Sequence, residues 1–215
     1  MTFTTATSPR PKSFLQNRLL QVLSAVYAAV WVWAAIAPNF RKDWVLENIL
    51  VVVGVGLAVW ICRTRPLSDL SNILCAVFLV LHTVGAHYTY ALVPAGEWLK
   101  HAAGLERNHY DRIIHFSFGL LIVYPLREYL MRRDVLRGGW LSLLAFAIIA
   151  TCSGFYELME WAAAVIVDPK AGAAFLGTQG DPFDSQQDQF VAFCGAILTL
   201  VVVHFTERKR ARTHA

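Results

Sequence analysis

Two pairs of residues carry the chemistry that this sequence could do. Asp111 and His115 stand four positions apart, and Glu157 and Glu160 stand three apart. Residues at these spacings share one face of a helix, so each pair presents two polar groups side by side. A histidine beside a carboxylate can serve as a general base or as a metal ligand. Histidine with carboxylates suits zinc, and carboxylates alone suit magnesium or calcium. Two glutamates one turn apart repel each other unless a cation, a basic side chain or a shared proton intervenes. His115, Glu157 and Asp111 are therefore the candidate catalytic groups, and His115, Glu157 and Glu160 the candidate ligands of a divalent metal. No His-Glu-x-x-His pattern and no nucleophile elbow accompanies them, so no motif names a reaction.

The elements that must position these groups are apolar. Of 215 residues, 56% are hydrophobic and 16% charged, against about 25% charged in an ordinary soluble domain. Six apolar runs approach the length needed to cross about 30 Å of hydrocarbon. They are Leu19–Ala37, Val45–Cys62, Leu67–Val93, Ile113–Leu130, Gly139–Val167 and Gln189–Phe205. The expected fold is all-α: a polytopic membrane protein, a bundle of about six transmembrane helices. One domain spans residues 18–206. Residues 1–17 read as a disordered cytoplasmic tail and residues 207–215 as a basic cytoplasmic tail. Pro125 lies inside the fourth run and should kink it. Arg127 and Glu128 near its end read as facing water. Cys62, Cys75, Cys152 and Cys194 fall within or at the ends of apolar runs with no Cys-x-x-Cys spacing. They read as small buried residues, not as a zinc site or disulfide framework.

The net charge of +4 does not point to nucleic acid, because the basic residues lie in short loops and at the ends. With the N-terminus inside, 13 Lys and Arg fall on the side of the termini and 6 on the other, the full 19. The positive-inside rule then predicts both termini in the cytoplasm. Trp44, Trp98 and Trp161 mark the outer boundary, and Trp60 and Trp140 the inner one.

At about 1.5 Å per residue, His82 lies roughly 22 Å along its run and Glu157 roughly 25 Å beyond Trp140. Asp111 and His115 open the fourth run, and Asp188 precedes the sixth. Ionisable groups in a membrane usually face the bundle interior or water. His82, Tyr90, Asp111, His115, Glu157, Glu160 and Asp188 are thus expected to converge in one outward-opening pocket, with Glu157 facing His115. Residues 178–188, with Gly180 and Pro182, should fold back over it. Simpler roles stand beside this reading. Asp111 could cap a helix, Asp184 with Gln187 or Ser185 with Asp188 fits a helix start, and Glu157 could pair with His115 or an arginine without any ligand.

Four blocks also resemble a known family. They are His82–Ala91 with Val93-Pro94, Arg107–Leu121, Glu157–Trp161, and Leu176–Asp188. Together they resemble the YjdF-type family of bacterial inner-membrane proteins, over about residues 67–206. The resemblance implies a multi-pass protein of the bacterial inner (plasma) membrane and assigns no activity. A fainter likeness is to VanZ-like membrane proteins, some associated with glycopeptide-antibiotic resistance. Asp111, His115 and Phe116 match their Asp-x-x-x-His-Phe helix start, Glu157 their later Glu, and Asp188 with Gly195 their last helix. Glu160 stands where those proteins often carry Gln, and Ala192 where Asn is expected.

Two functions fit. The pocket could bind a lipid headgroup, a lipid-linked envelope precursor or a cation. Alternatively, it could be a membrane-embedded, metal-dependent hydrolase or transferase acting on a lipid-linked substrate. A transporter is disfavoured, because the sequence has no inverted repeat and its polar residues stop at one side.

Overall fold

The computed structural model describes residues 14–167 and 178–213. Of the tail expected to be disordered, residues 1–17, Phe14–Gln16 form a 3-10 turn and Asn17 caps the first helix; residues 1–13, the placement of Lys170 and Gly177, and the side chain of Cys62 lie outside what the structure describes. Among the described residues, seven α-helices follow a short 3-10 turn at Phe14–Gln16. They are α1 (Arg18–Ala35), α2 (Arg41–Thr64), α3 (Asp69–Tyr88), α4 (Pro94–Ala103), α5 (Tyr110–Arg132), α6 (Gly138–Val167) and α7 (Asp184–Thr213). All but α4 are long and apolar enough to cross a membrane.

Helix starts follow local chemistry. The Asn17 side chain accepts a hydrogen bond from the Leu20 amide at 3.0 Å and caps α1. Ser68 caps α3 by accepting from the Ser71 amide at 3.3 Å, which satisfies a first-turn donor with no helical partner. The third apolar run was expected to reach Val93, but α3 ends at Tyr88. Thr89 and Tyr90 take left-handed backbone, with φ of 57° and 45°, and turn the chain. Pro94 then opens the ten-residue α4, where its missing N–H costs no helical bond.

The central pair is α5 against α7. Gly119 and Gly195 sit where the backbones meet: an added Cβ on Gly119 would collide with the Ala192 carbonyl, and one on Gly195 with the Phe116 carbonyl. Small residues are what let membrane helices approach this closely. The Thr199 hydroxyl donates across the pair to the Leu120 carbonyl at 2.6 Å. Val123, Leu141, Ala145, Ile149 and Ala196 fill the core beneath. Pro125 is buried inside α5, and the helix runs through it to Arg132.

Polar groups lock the end of the bundle nearest the termini. Arg127 and Glu128 do not face water; both are buried. Arg127 donates two hydrogen bonds to Glu207, at 2.8 and 2.9 Å, and a third to Ser142. Glu128 accepts from the Ser68 amide and hydroxyl, from Ser71 and from Arg132. These partners supply the hydrogen bonds that a buried charge needs.

The outer faces are apolar. Val52 and Val53 on α2, and Phe155, Leu158 and Trp161 on α6, are all more than half exposed. In water this surface would be prohibitive, whereas against hydrocarbon it is the expected face, so the molecule is embedded among membrane lipids. Cys152 lies on that surface, and Cys75 and Cys194 are half-buried, so the cysteines are not a uniformly buried set.

Candidate functional site

On α6 the carboxylates point opposite to the lipid face. Leu158 and Trp161 are exposed while Glu157 is 6% exposed, because a carboxylate facing hydrocarbon would be costly. Asp111 and His115 share one face at the start of α5, and Asp188 comes from the second turn of α7. The gap between these helices is where the polar groups meet.

His115 is the hub. Its Nε2 lies 3.6 Å from Asp111 Oδ1 and 3.5 Å from Glu157 Oε1. These are ion-pair distances, too long for hydrogen bonds. Asp111, His115 and Asp188 each offer a ligand atom within 4.8 Å of the other two. Glu157 Oε1 and Asp188 Oδ1 are buried with no hydrogen-bond partner. Buried carboxylate oxygens are rarely left so in a native protein. Two atoms each about 2.1 Å from one cation stand about 3.4 Å apart at the tetrahedral angle, close to the spacings around His115. The cluster could therefore hold a metal ion, with Asp111, His115 and Asp188 as ligands and Glu157 beside them.

A second polar group adjoins it. Glu47 on α2 is 6% exposed. Its Oε2 accepts hydrogen bonds from the Tyr156 hydroxyl at 2.8 Å and the Tyr90 hydroxyl at 3.2 Å. The Tyr90 hydroxyl also lies 2.8 Å from His82 Nδ1. Tyr90 has one proton to give, so when it donates to Glu47 the His82 Nδ1 must carry the proton facing it. Burial pushes the Tyr90 phenol well above its usual pKa, and the charges of Glu47, Asp111 and Glu160 push it further, against a smaller lowering by the nearby Tyr156 hydroxyl. Tyr90 is thus a neutral donor at any physiological pH. The left-handed turn places it: the ring lies over Gly85, where an added Cβ would strike the ring itself.

The expected pocket opening outward is corrected by the burial of the cluster. His115 and Asp188 are 7% and 2% exposed, and the Asp111 side chain keeps 13%. A clamp accounts for the closure. Arg112 donates to Asp181 and Asp184, each at 2.9 Å, and to Gln187. Arg107 donates to Asp184 and to the Thr178 carbonyl. The Asn108 amide donates to Gln179 Oε1, and Gln179 Nε2 donates back to the Asn108 carbonyl, both at 2.9 Å. Asn108 is itself fully buried and donates to the Val93 carbonyl. Residues 178–187 are thereby tied across the start of α5. The Phe183 amide, followed by Arg112 and Arg107, holds the Asp181 carboxyl below its usual pKa. Burial, then the same two arginines, lowers that of His109, against the pull of Asp184.

Of the residues singled out in the sequence, Asp111, His115, Glu157 and Asp188 come together directly. His82 and Tyr90 join through Glu47. Glu160 lies within electrostatic range of Asp111, Glu47 and Glu157. Sequence reasoning passed over Glu47, Tyr156 and the arginine clamp. Glu47 did leave a signal, as an ionisable residue two positions into an apolar run. Tyr156 left none, since a tyrosine in a membrane helix is unremarkable by type.

Comparison with known proteins places most of the chain. A family model described as "Predicted membrane protein (DUF2238)" matches residues 19–209. The "Inner membrane protein YjdF" of Escherichia coli (strain K12) is 34% identical over 188 residues, covering 87% of this chain and 90% of that protein. No solved structure matches.

Proposed function

The chain belongs to the YjdF family of multi-pass membrane proteins, and from that premise we propose that it binds a divalent metal cation between Asp111, His115 and Asp188. The observation that carries this reading is the buried convergence of three ligand atoms within 4.8 Å. The unpartnered oxygens of Asp188 and Glu157 support it. Glu157 completes the set as a fourth ligand or as the acceptor for a proton on a metal-bound water. One imidazole among carboxylates suits manganese, iron(II) or zinc better than calcium. The metal is sealed within the bundle, with Arg107 and Arg112 closing the way in.

The protein sits in the bacterial inner membrane, as its Escherichia coli relative is named to do. Both termini are cytoplasmic, on the 13 to 6 distribution of basic residues. Fusions after Arg65 and Arg133 should report cytoplasm, and a fusion after Lys100 the outside; an external C-terminus would reverse the orientation.

The metal reading is tested on the full chain purified in detergent, dialysed against micromolar manganese or zinc and then against buffer. Wild type should retain metal at about one equivalent per chain or more, and Asp188→Asn and His115→Ala should lose it. Metal-free wild type under both loadings would refute the reading.

A further inference from the structure

At the end of the bundle nearest the termini, α6 and α7 part around a cavity of about 540 Å³. Gly139, Leu143 and Phe146 form one wall, and Ile197, Val201 and His204 the other. Each set recurs every three or four positions and so lies on one helix face. The walls run about 10 Å along both helices. Leu143 and Ile197 are half exposed, so the groove is open to the lipid around the bundle. Its mouth is polar. His204 lies about 30 Å from Asp184 along α7, the thickness of the hydrocarbon. Trp140, 70% exposed beside Gly139, suits the same boundary. Ser142, also in the lining, accepts from Arg127 at 3.1 Å and keeps its own hydroxyl proton to donate. Beyond the boundary, Arg208 and Arg212 follow His204 at steps of four, on the side of α7 that lines the groove. Both are exposed. The neighbouring acid, Glu207, is taken up by Arg127 at 2.8 and 2.9 Å, so it does not neutralise them.

We propose that this groove holds one anionic phospholipid of the leaflet nearest the termini, with an acyl chain between α6 and α7 and its phosphate at Ser142, His204 and Arg208. The proposal is independent of the metal reading. Apart from Ser142 and His204 at the mouth, the lining carries no polar side chain among the described residues, which suits a hydrocarbon chain. The charge just beyond it sets the headgroup. Arg208, Lys209, Arg210 and Arg212 crowd the end of α7, and a basic cluster at the end of a crossing helix attracts anionic lipid. Charge also disfavours a second copy of this chain as the occupant. A copy in the same membrane orientation would bring its own basic helix end to the same level, where like charges repel. A lipid phosphate at that level meets opposite charge instead.

The probe is dioleoyl phosphatidylglycerol, added to the delipidated full chain in detergent, with bound lipid counted by native mass spectrometry. Wild type should retain about one phosphatidylglycerol per chain at concentrations where dioleoyl phosphatidylcholine is not retained. Arg208→Gln with Arg212→Gln, both at exposed positions, should weaken binding by about tenfold or more. Gly139→Phe should abolish it with the charges intact. An added Cβ at Gly139 meets nothing within 4 Å, so the ring has room to fill the groove. Val201→Trp fills it from the other wall and decides the matter should Gly139→Phe fail to fold. No lipid retained by wild type, or equal retention of the two lipids, would overturn the proposal. Retention of phosphatidylglycerol unchanged in the groove-filling variants would overturn it as well. So would displacement of the lipid by equimolar glycerol phosphate, which would make this a site for a free phosphate. A dimer that Gly139→Phe dissociates would also overturn it, by making the groove a contact between copies.

Discussion

Replacing Arg112 by methionine should open the clamp, and the structure sets the size of the effect. Arg112 bonds Asp181, Asp184 and Gln187, and its side chain is 14% exposed. Asp184 is 4% exposed and would keep Arg107, so it is not stranded outright. Removing one partner of a fully buried pair costs about 3–5 kcal/mol. The remaining arginine and the partial exposure of Asp181 lower that to about 2–3 kcal/mol. For a chain of this size each kcal/mol moves the melting temperature by about 2–4 °C, so the drop should be about 4–12 °C. Thermal unfolding in detergent, followed by intrinsic fluorescence, reads it. A double-mutant cycle with Asp184→Asn should show coupling of about 1–3 kcal/mol. Loosening the clamp should also speed exchange of bound manganese. A shift below about 2 °C together with an additive cycle would refute the clamp as the element that closes the site.

Gly85→Ala should push the Tyr90 ring off its seat and break its bonds to His82 and Glu47. The cost should be about 1–3 kcal/mol, read as a lower melting temperature, and Tyr90→Phe should restore none of it. Gly119→Ala meets the Ala192 carbonyl, which is backbone and cannot swing aside. It should lower the melting temperature more than Gly54→Ala, which meets nothing. The Asp181 carboxyl has its pKa lowered by the Phe183 amide and the two arginines. Its contribution is therefore fully present above the unfolded value near 4 and is lost as pH falls through the lower folded value. Cleavage by an acid-active protease within residues 178–183 should rise below about pH 4 in wild type. It should already be high at pH 5 in Asp181→Asn.

The architecture was legible in the sequence because a membrane imposes a length and a polarity on each crossing helix. Six runs near 20 residues long had no other stable form, since backbone groups in hydrocarbon must be satisfied within a helix. Helical spacing also paired Asp111 with His115 and Glu157 with Glu160, and the cost of charge in lipid turned them inward. Beyond the expected approach of Glu157 to His115, the sequence could not supply contact between helices. Glu47 lies more than 100 residues from Tyr156 in the chain, yet accepts its hydrogen bond. That meeting depends on how α2 sits against α6. The identity of the three closest ligand atoms was also a tertiary matter, because Asp188 reaches His115 through the glycine-to-backbone approach of α5 and α7. Depth along a helix places polar groups at one level of the membrane but does not say whether that level is open or sealed. Here it is sealed, because Arg107 and Arg112 find Asp181 and Asp184 across a stretch of some 70 residues. Only the folded chain brings those charges within reach.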